Sequence, residues 1–285
     1  MAENLIERWG FGASRMIELL SFPPVFRGFV SLLAAGLCFP LSGIFILRLN
    51  LLNLRFMLMH GVMLAGAIAL SASLDPLLCA LGINLFLVLL ITSMSRRSDI
   101  PTGGLTTFFM VISVGVAMAL IYKNQIPVQD TMNLLWGSIF ALSQRDLFLL
   151  LFFCLVILLF VLFKYRQISA VLIDPETART AGVNETLIFY LIMIFTGITI
   201  AFAMRLVGAL LLDALVLLPA MTAVSFSRSL KSMFITASLS GFLYSLGGFL
   251  LALKVDLPVS SGVILVAGVC FGITYIVRLI YEKHN

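Results

Sequence analysis

The sequence has few charged residues, which excludes a globular protein with a mainly water-facing surface. Of its 285 residues, 11% are charged and 61% are hydrophobic, and the mean hydropathy is +1.15. Stretches of about 20 apolar residues, enough to cross a bilayer as a helix, recur along nearly the whole chain. The alternating segments of roughly ten residues that are typical of a membrane β-barrel are missing. We therefore predict an all-α fold, a polytopic bundle of transmembrane helices.

Sequence motifs for nucleotide binding and for zinc-dependent catalysis are missing as well. The chain has no Gly-x-x-x-x-Gly-Lys-Ser/Thr loop to hold ATP phosphates and no His-Glu-x-x-His zinc motif. We therefore expect no catalytic residue and no cofactor bound by this chain. The cysteines lie in apolar runs without Cys-x-x-Cys spacing, which predicts small buried residues ahead of disulfides or a metal cluster. They are Cys38, Cys79, Cys154 and Cys270.

The N-terminal segment differs from the rest of the chain. Residues 1–27 carry six charged residues and no apolar core, so we expect no cleavable signal peptide. We interpret residues 1–27 as an amphipathic N-terminal segment and residues 28–285 as a single transmembrane domain. The first apolar segment is then expected to direct insertion into the membrane.

Nine apolar segments can be placed along the transmembrane domain. If the region 186–225 holds one full span and one broken span, the count of full spans becomes eight. The segments cover residues 28–47, 56–73, 76–94, 105–122, 147–163, 186–203, 206–225, 232–253 and 259–279.

Every second connection between these segments is basic, and the positive-inside rule assigns such connections to the cytoplasm. The net charge of +5 is therefore interpreted as a topology signal, and we expect no nucleic-acid partner. The cytoplasmic connections contain Arg48, Arg55, Arg96, Arg97, Lys164, Arg166, Arg179, Arg228, Lys231, Arg278 and Lys283. The connections expected outside contain Asp75, residues 123–146, Arg205 and residues 254–258.

One cytoplasmic connection carries the pattern of a short capped helix. Asp174 is a suitable N-cap, Pro175 suits the first helical position, and Gly182 suits a left-handed position after the helix. Such a helix is either a plain connector or a docking element that receives force from a partner.

This connection also carries a resemblance to a known family. The segment from Asp174 to Val183, Asp-Pro-Glu-x-Ala-Arg-x-x-Gly-Val, resembles the coupling segment of the permease subunits of metal-importing ABC transporters, the ABC-3 family. Three further stretches resemble motifs of that family in the same order. They are Leu135-Trp136-Gly137-Ser138-Ile139 followed by Asp146, residues 207–223 from Val-Gly-Ala-Leu-Leu to Pro-Ala-Met-Thr-Ala, and Asp256-Leu257-Pro258 with Gly262.

The resemblance implies a homodimeric, type II-like ABC importer permease of about eight or nine spans in the bacterial inner membrane. A cytoplasmic ATPase would dock on the coupling segment, and an extracytoplasmic binding protein would deliver a divalent metal ion, zinc, manganese or iron. The residues that match the coupling segment are Asp174, Pro175, Glu176, Ala178, Arg179 and Gly182.

Two ionisable residues inside apolar segments are candidate metal ligands, because such groups are costly in a bilayer and are often functional. His60 matches the family's intramembrane histidine, but Phe56 and Met59 stand where the family usually has an acid and a serine. We hypothesise that Asp213, in another span, replaces the missing acid and shares the cation with His60. The alternatives are a histidine bonded to a backbone carbonyl and a structural aspartate.

Other functions and contacts remain open at this point. Met57 and Met63 flank His60 on one helical face and would favour a soft metal ion if they line the path. A permease for a cobalamin-like or siderophore-like metal chelate is one alternative function. An ion-coupled secondary transporter, with Asp213 as a proton or sodium site, is another. Candidate contacts for an external binding protein are Lys123, Asp130, Arg145, Asp146, Arg205, Lys254 and Asp256.

Overall fold

The computed structural model describes residues 21–96, 102–127 and 139–284, which are almost entirely helical in these ranges. Residues 1–20 of the predicted N-terminal segment, Arg97, the candidate contact Asp130 and the motif residues 135–138 lie outside the described residues. The helices are α1 (Pro23–Arg48), α2 (Leu52–Ala72), α3 (Pro76–Ser95), α4 (Thr102–Lys123), α5 (Gln144–Ile173), α6 (Pro175–Thr180), α7 (Glu185–Phe226), α8 (Leu230–Val255) and α9 (Val259–His284), with a short 3-10 turn at Ile139–Ala141.

The helix starts follow from local sequence chemistry. Asp75 caps α3 by accepting hydrogen bonds from the Leu77 and Leu78 N–H groups at 2.8 and 3.2 Å. Ser143 and Asp146 form a reciprocal capping box at the start of α5. The first helix begins at Pro23, so the apolar segment predicted from residue 28 starts one helical turn earlier than expected.

Eight of the nine predicted segments are helices long and apolar enough to cross a membrane, so the protein is a multi-pass membrane protein. The seventh segment, predicted over 206–225, is the shorter apolar helix Leu211–Phe226, which we call α7b. It follows the full span Glu185–Leu206, here α7a. For the described residues, the structure therefore has eight full spans and one short helix, the alternative predicted for the region 186–225.

The chain reverses direction between α7a and α7b, at Gly208. On α1, Ser42 hydrogen-bonds to Thr199 of α7a at 2.7 Å, while the adjacent Gly43 packs directly against the Val216 carbonyl of α7b. Thr199 and Val216 lie at nearly equal distances along the chain from Gly208, so α7b must run back alongside α7a. Gly208 has φ 75° and ψ 179°, a conformation that is essentially restricted to glycine.

The ends of the helices form two separate groups of charged residues, as the alternation of basic connections predicts. At one end, which we call the inner end, Arg96, Arg179 and Glu185 meet. At the opposite, outer end, Arg145 lies near Asp75, and Arg205 lies near Asp146. Arg55 is the exception, because it is buried within the first turn of α2 instead of lying in a solvated connection.

Helix α1 is central to the bundle and packs closely against α7b and α8. Its glycines bring backbones together: Gly36 contacts Gly241 of α8, and Gly43 contacts α7b. Close packing at small residues is the main attraction available between helices in lipid. Gly268 and Gly272 of α9 have the spacing of such a contact, but a methyl group added at either would meet no other atom of the described residues within 4 Å. These two glycines therefore do not serve this packing within one chain.

The reversal at Gly208 yields a prediction. Replacing Gly208 with alanine should destabilise the protein by about 1 to 3 kcal/mol, because an L side chain is strained at this backbone conformation. The thermal unfolding temperature of the detergent-purified protein measures this loss. Gly115→Ala in α4 is the matched control, since open space surrounds that helical glycine and the alanine is expected to be neutral or slightly stabilising. Equal unfolding temperatures for the two variants would contradict the assigned role of Gly208.

Candidate functional site

The predicted capped helix is present as α6, between the end of α5 and the start of α7a. Asp174 caps it, accepting hydrogen bonds from the Glu176 N–H at 3.0 Å and from the Thr177 hydroxyl. Its C-terminus closes with the Gly182 N–H donating to the Arg179 carbonyl at 3.1 Å and the Val183 N–H donating to the Ala178 carbonyl at 3.0 Å. This is the Schellman arrangement, and Gly182 has the left-handed φ of 80° that it requires.

The residues of α6 divide into anchoring and exposed groups. Ala178 is 1% exposed and packs inward against the core. Arg179 extends back to Glu185, with its Nη2 3.0 Å from Oε2 of that carboxylate. Pro175 and Glu176 are exposed, as is Ile173 at the end of α5. Of the six residues that match the coupling segment, Asp174 and Gly182 therefore shape the helix, Ala178 and Arg179 attach it, and Pro175 and Glu176 remain open to a partner.

The charge of Asp174 strengthens the N-terminal cap of α6. The Thr177 hydroxyl and then the Glu176 N–H stabilise the carboxylate and hold the pKa of Asp174 below its usual range. The stabilisation is therefore complete above the ordinary aspartate pKa and is lost as the pH falls through the lowered value. At neutral pH this helix keeps its N-terminal cap.

His60, the histidine candidate, lies in the third turn of α2 and is half-buried. Its Nδ1 is 2.7 Å from the Phe56 carbonyl oxygen, so a proton on Nδ1 completes a hydrogen bond to the backbone. In this tautomer the Nε2 lone pair is free to bind a metal ion. Of the flanking methionines, Met57 is fully buried in the core whereas Met63 is half-buried, so they do not face the same surroundings.

Asp213, the carboxylate candidate, lies in α7b and forms an ion pair with Arg55 of α2. The Arg55 side chain is almost fully buried, whereas the Asp213 side chain is 48% exposed. The guanidinium also stacks over the Phe56 ring, 4.2 Å from its centroid. Phe56 thus stands where the family usually has an acid, next to a cation that is already paired with Asp213.

The described residues contain no group of three or more histidine, cysteine, aspartate and glutamate side chains that could hold a metal ion. His60 and Asp213 therefore belong to no complete metal-binding group in this part of the molecule.

Two functional candidates escaped the sequence prediction, Arg55 and Glu185. Arg55 was grouped with a basic turn, although the turn ends at Leu51 and Arg55 falls inside the helix that follows. Glu185 was not considered, although Asn184 and Glu185 form a typical helix start with a cap and an acid in the first turn. Arg55 pairs with Asp213, and Glu185 pairs with Arg96, which are distant in sequence, so no local pattern indicates these two pairs. The pair of Glu185 with Arg179, six residues apart, is the local one.

Three of the outer-end candidates, Arg145, Asp146 and Arg205, have ion-pair partners within the chain. Nη2 of Arg205 lies 3.8 Å from Oδ2 of the buried Asp146, and Nη1 of Arg145 lies 3.9 Å from Oδ2 of Asp75. Arg145 and Asp75 are exposed, so they remain accessible at the outer surface.

The cap of α6 gives a prediction for the candidate docking helix. Asp174→Ala should increase amide hydrogen exchange across residues 175–181, because the Glu176 N–H loses its acceptor. Asp174→Asn should keep most of the protection, since an asparagine oxygen can also cap a helix. Exchange followed by mass spectrometry in detergent or nanodiscs measures both. Unchanged protection in Asp174→Ala would refute the capping role.

Comparison with known proteins identifies relatives over nearly the whole chain. A model of the ABC 3 transport family matches residues 21–278. The chain is 26% identical over 259 residues to the high-affinity zinc uptake system membrane protein ZnuB of Haemophilus influenzae, covering 90% of this chain and 96% of that protein. It is 25% identical to the manganese import system permease protein ScaB of Streptococcus parasanguinis, covering 90% and 91%. The structure of PsaBC from Streptococcus pneumoniae in complex with Fab shares the fold, with a TM-score of 0.79 and 23% identity over 93% of this chain and 95% of that chain.

Proposed function

This chain belongs to the ABC 3 transport family, and from that premise we propose that it is the membrane-spanning permease of an ATP-driven importer of divalent transition metal ions. Zinc, manganese and iron are the candidate cargoes. The proposal rests on α6, a capped helix that lies between two spans. The exposed residues of α6 are accessible to a partner. Relatives with zinc-uptake and manganese-import functions support the cargo class.

The proposal assigns ATP hydrolysis to a separate cytoplasmic subunit. The chain has no phosphate-binding loop of its own, and α6 lies at the inner end of the bundle with Pro175 and Glu176 exposed. A short rigid helix transmits movement as a body, so it needs only a few contacts with the ATPase. An extracytoplasmic metal-binding protein would dock at the outer end, where Arg145 and Asp75 are accessible.

Within the membrane, we assign cation contact to His60 and Asp213. The backbone hydrogen bond of His60 orients its ring and leaves Nε2 as a nitrogen ligand for zinc, manganese or iron. The exposed side of the Asp213 carboxylate provides an oxygen ligand, while Arg55 neutralises its other side. A homodimer in the inner membrane is part of the same proposal and would place a second copy of these residues beside the path.

The driving force gives the first test of this function. Proteoliposomes that contain the chain together with its ABC ATPase, with the metal-binding protein added outside, should take up radioactive zinc, manganese or iron only when ATP is supplied on the ATPase side. An ATPase whose phosphate-loop lysine is replaced is the control and should give no uptake. Uptake driven by a proton or sodium gradient without the ATPase would contradict the proposal and favour a secondary transporter.

The metal ligands give the second test. Asp213→Asn should reduce uptake to the level of empty vesicles, because the amide is a far weaker ligand than the carboxylate for these cations. This change also leaves Arg55 buried without its partner, which costs several kcal/mol in typical cases. The double variant Arg55→Met/Asp213→Asn removes both charges and is expected to restore assembly without restoring uptake.

The double variant distinguishes a ligand from a structural aspartate. If it transports metal as the unmodified protein does, Asp213 serves only to pair with Arg55 and the metal assignment is wrong. Phe56→Asp is a complementary variant, since it restores the acid that the family usually has four residues before His60. It is expected to keep or increase uptake if the cation passes this face of α2.

A further inference from the structure

Three charged residues at the inner end form a cluster, Arg96, Arg179 and Glu185, which we call the inner clamp. The Glu185 side chain is only 5% exposed. Its Oε1 lies 2.5 Å from Nη2 of Arg96, and its Oε2 accepts from Nη1 of Arg96 at 3.2 Å and from Nη2 of Arg179 at 3.0 Å. Both carboxylate oxygens are therefore occupied, with Arg96 bound in the two-pronged geometry that an arginine offers a carboxylate.

The three residues come from three different elements. Arg96 follows the last residue of α3, Arg179 lies in α6, and Glu185 is the first residue of α7a. Arg96 also donates to the Thr186 hydroxyl at 3.1 Å and lies over the Phe189 ring, 5.0 Å from its centroid. The clamp thus ties the candidate docking helix to the inner ends of two transmembrane helices.

The clamp contains two ion pairs, Glu185–Arg96 and Glu185–Arg179, which we call its two arms. The arms differ in solvent exposure and therefore in role. The arm to Arg96 is largely shielded from solvent, and a carboxylate this deeply buried is strongly destabilising if it loses its partner. The Arg179 side chain is 68% exposed, so its arm is weaker and can be removed without leaving a buried charge unpaired. The first arm holds α3 and α7a together, and the second fixes the angle between α6 and α7a.

Without the second arm, no side-chain ion pair would link α6 to α7a in the described residues. Residues 181–184 join the two helices, and this connection contains Gly182 in its left-handed conformation. Ala178 packs inward but makes an apolar contact, which does not fix direction. A helix attached in this way can pivot when it is pushed, and its movement is then lost before it reaches the span.

We propose that the inner clamp transmits the movement of α6 to α3 and α7a, and that Arg179 and Glu185 are positioning residues for the coupling of ATP hydrolysis to transport. This inference rests on the proposed function. It also gives Arg179 a role inside the permease, whereas the motif alone suggested a contact with the ATPase.

The experiment compares Arg179→Gln with Arg48→Gln in the complete permease–ATPase complex, reconstituted in proteoliposomes with the metal-binding protein added outside. Both variants remove an exposed arginine at the inner end, and Arg48 lies in the last turn of α1, outside the clamp. Arg179→Gln should retain the ATPase and hydrolyse ATP, but the metal ions imported per ATP should fall by about tenfold, within the usual range of coupling between sites. Arg48→Gln should keep the ratio of the unmodified complex, and Arg179→Lys should recover most of it.

Two results would overturn the inference. One is an unchanged ratio of metal to ATP in Arg179→Gln, and the other is loss of the ATPase from the purified complex, which would make Arg179 a direct contact. Amide hydrogen exchange provides a measurement that does not depend on which metal ion is transported. On ATP binding, α6 and the first turns of α7a should both change protection in the unmodified complex, and only α6 should do so in Arg179→Gln. Failure of the unmodified complex to import metal would instead count against the proposed function and leave this exchange comparison intact.

Discussion

A charged side chain that is removed from water must meet an opposite charge, and this requirement organises the polar part of the molecule. Helices satisfy their own backbone hydrogen bonds in lipid, so most of the bundle needs only apolar packing. Arg55 and Glu185 are buried charges that cannot be satisfied in this way. Each is paired with a residue from another helix, Asp213 and Arg96 respectively, so each pair fixes the relative position of two elements.

The path of the chain could be predicted from sequence wherever the cause is local. Hydropathy located the long helices of the bundle, and the alternation of basic connections predicted which helix ends lie together. The capped helix α6 was also predictable, because Asp174, Pro175 and Gly182 act within a few residues of one another. The reversal at Gly208 was harder, since a glycine in an apolar run is also common inside straight membrane helices. The contact of Ser42 with α7a and the contact of Gly43 with α7b establish that the chain turns back.

The candidate site was less predictable because its partners are distant in sequence. His60 was expected either to bind metal or to bond a backbone carbonyl, and it does bond the Phe56 carbonyl through one ring nitrogen. The two expectations are compatible, since an imidazole has a second nitrogen. Asp213 was expected either to share a metal cation with His60 or to be a structural aspartate, and within the chain it pairs with Arg55. Nothing in the apolar run around Asp213 indicates that an arginine more than 150 residues earlier is its partner.

The Arg55–Asp213 pair changes the charge that a metal ion would meet under the proposed function. An acid four residues before the histidine would give each chain one uncompensated negative charge beside the path. Here the carboxylate of Asp213 and the guanidinium of Arg55 cancel, and Phe56 supplies a ring face that holds the guanidinium. A divalent ion would therefore be attracted less strongly and, once bound to the open side of Asp213, would be repelled by a charge that cannot leave. Weaker binding, together with repulsion by the Arg55 guanidinium, favours release of the metal ion. Import requires release of the ion as well as its capture.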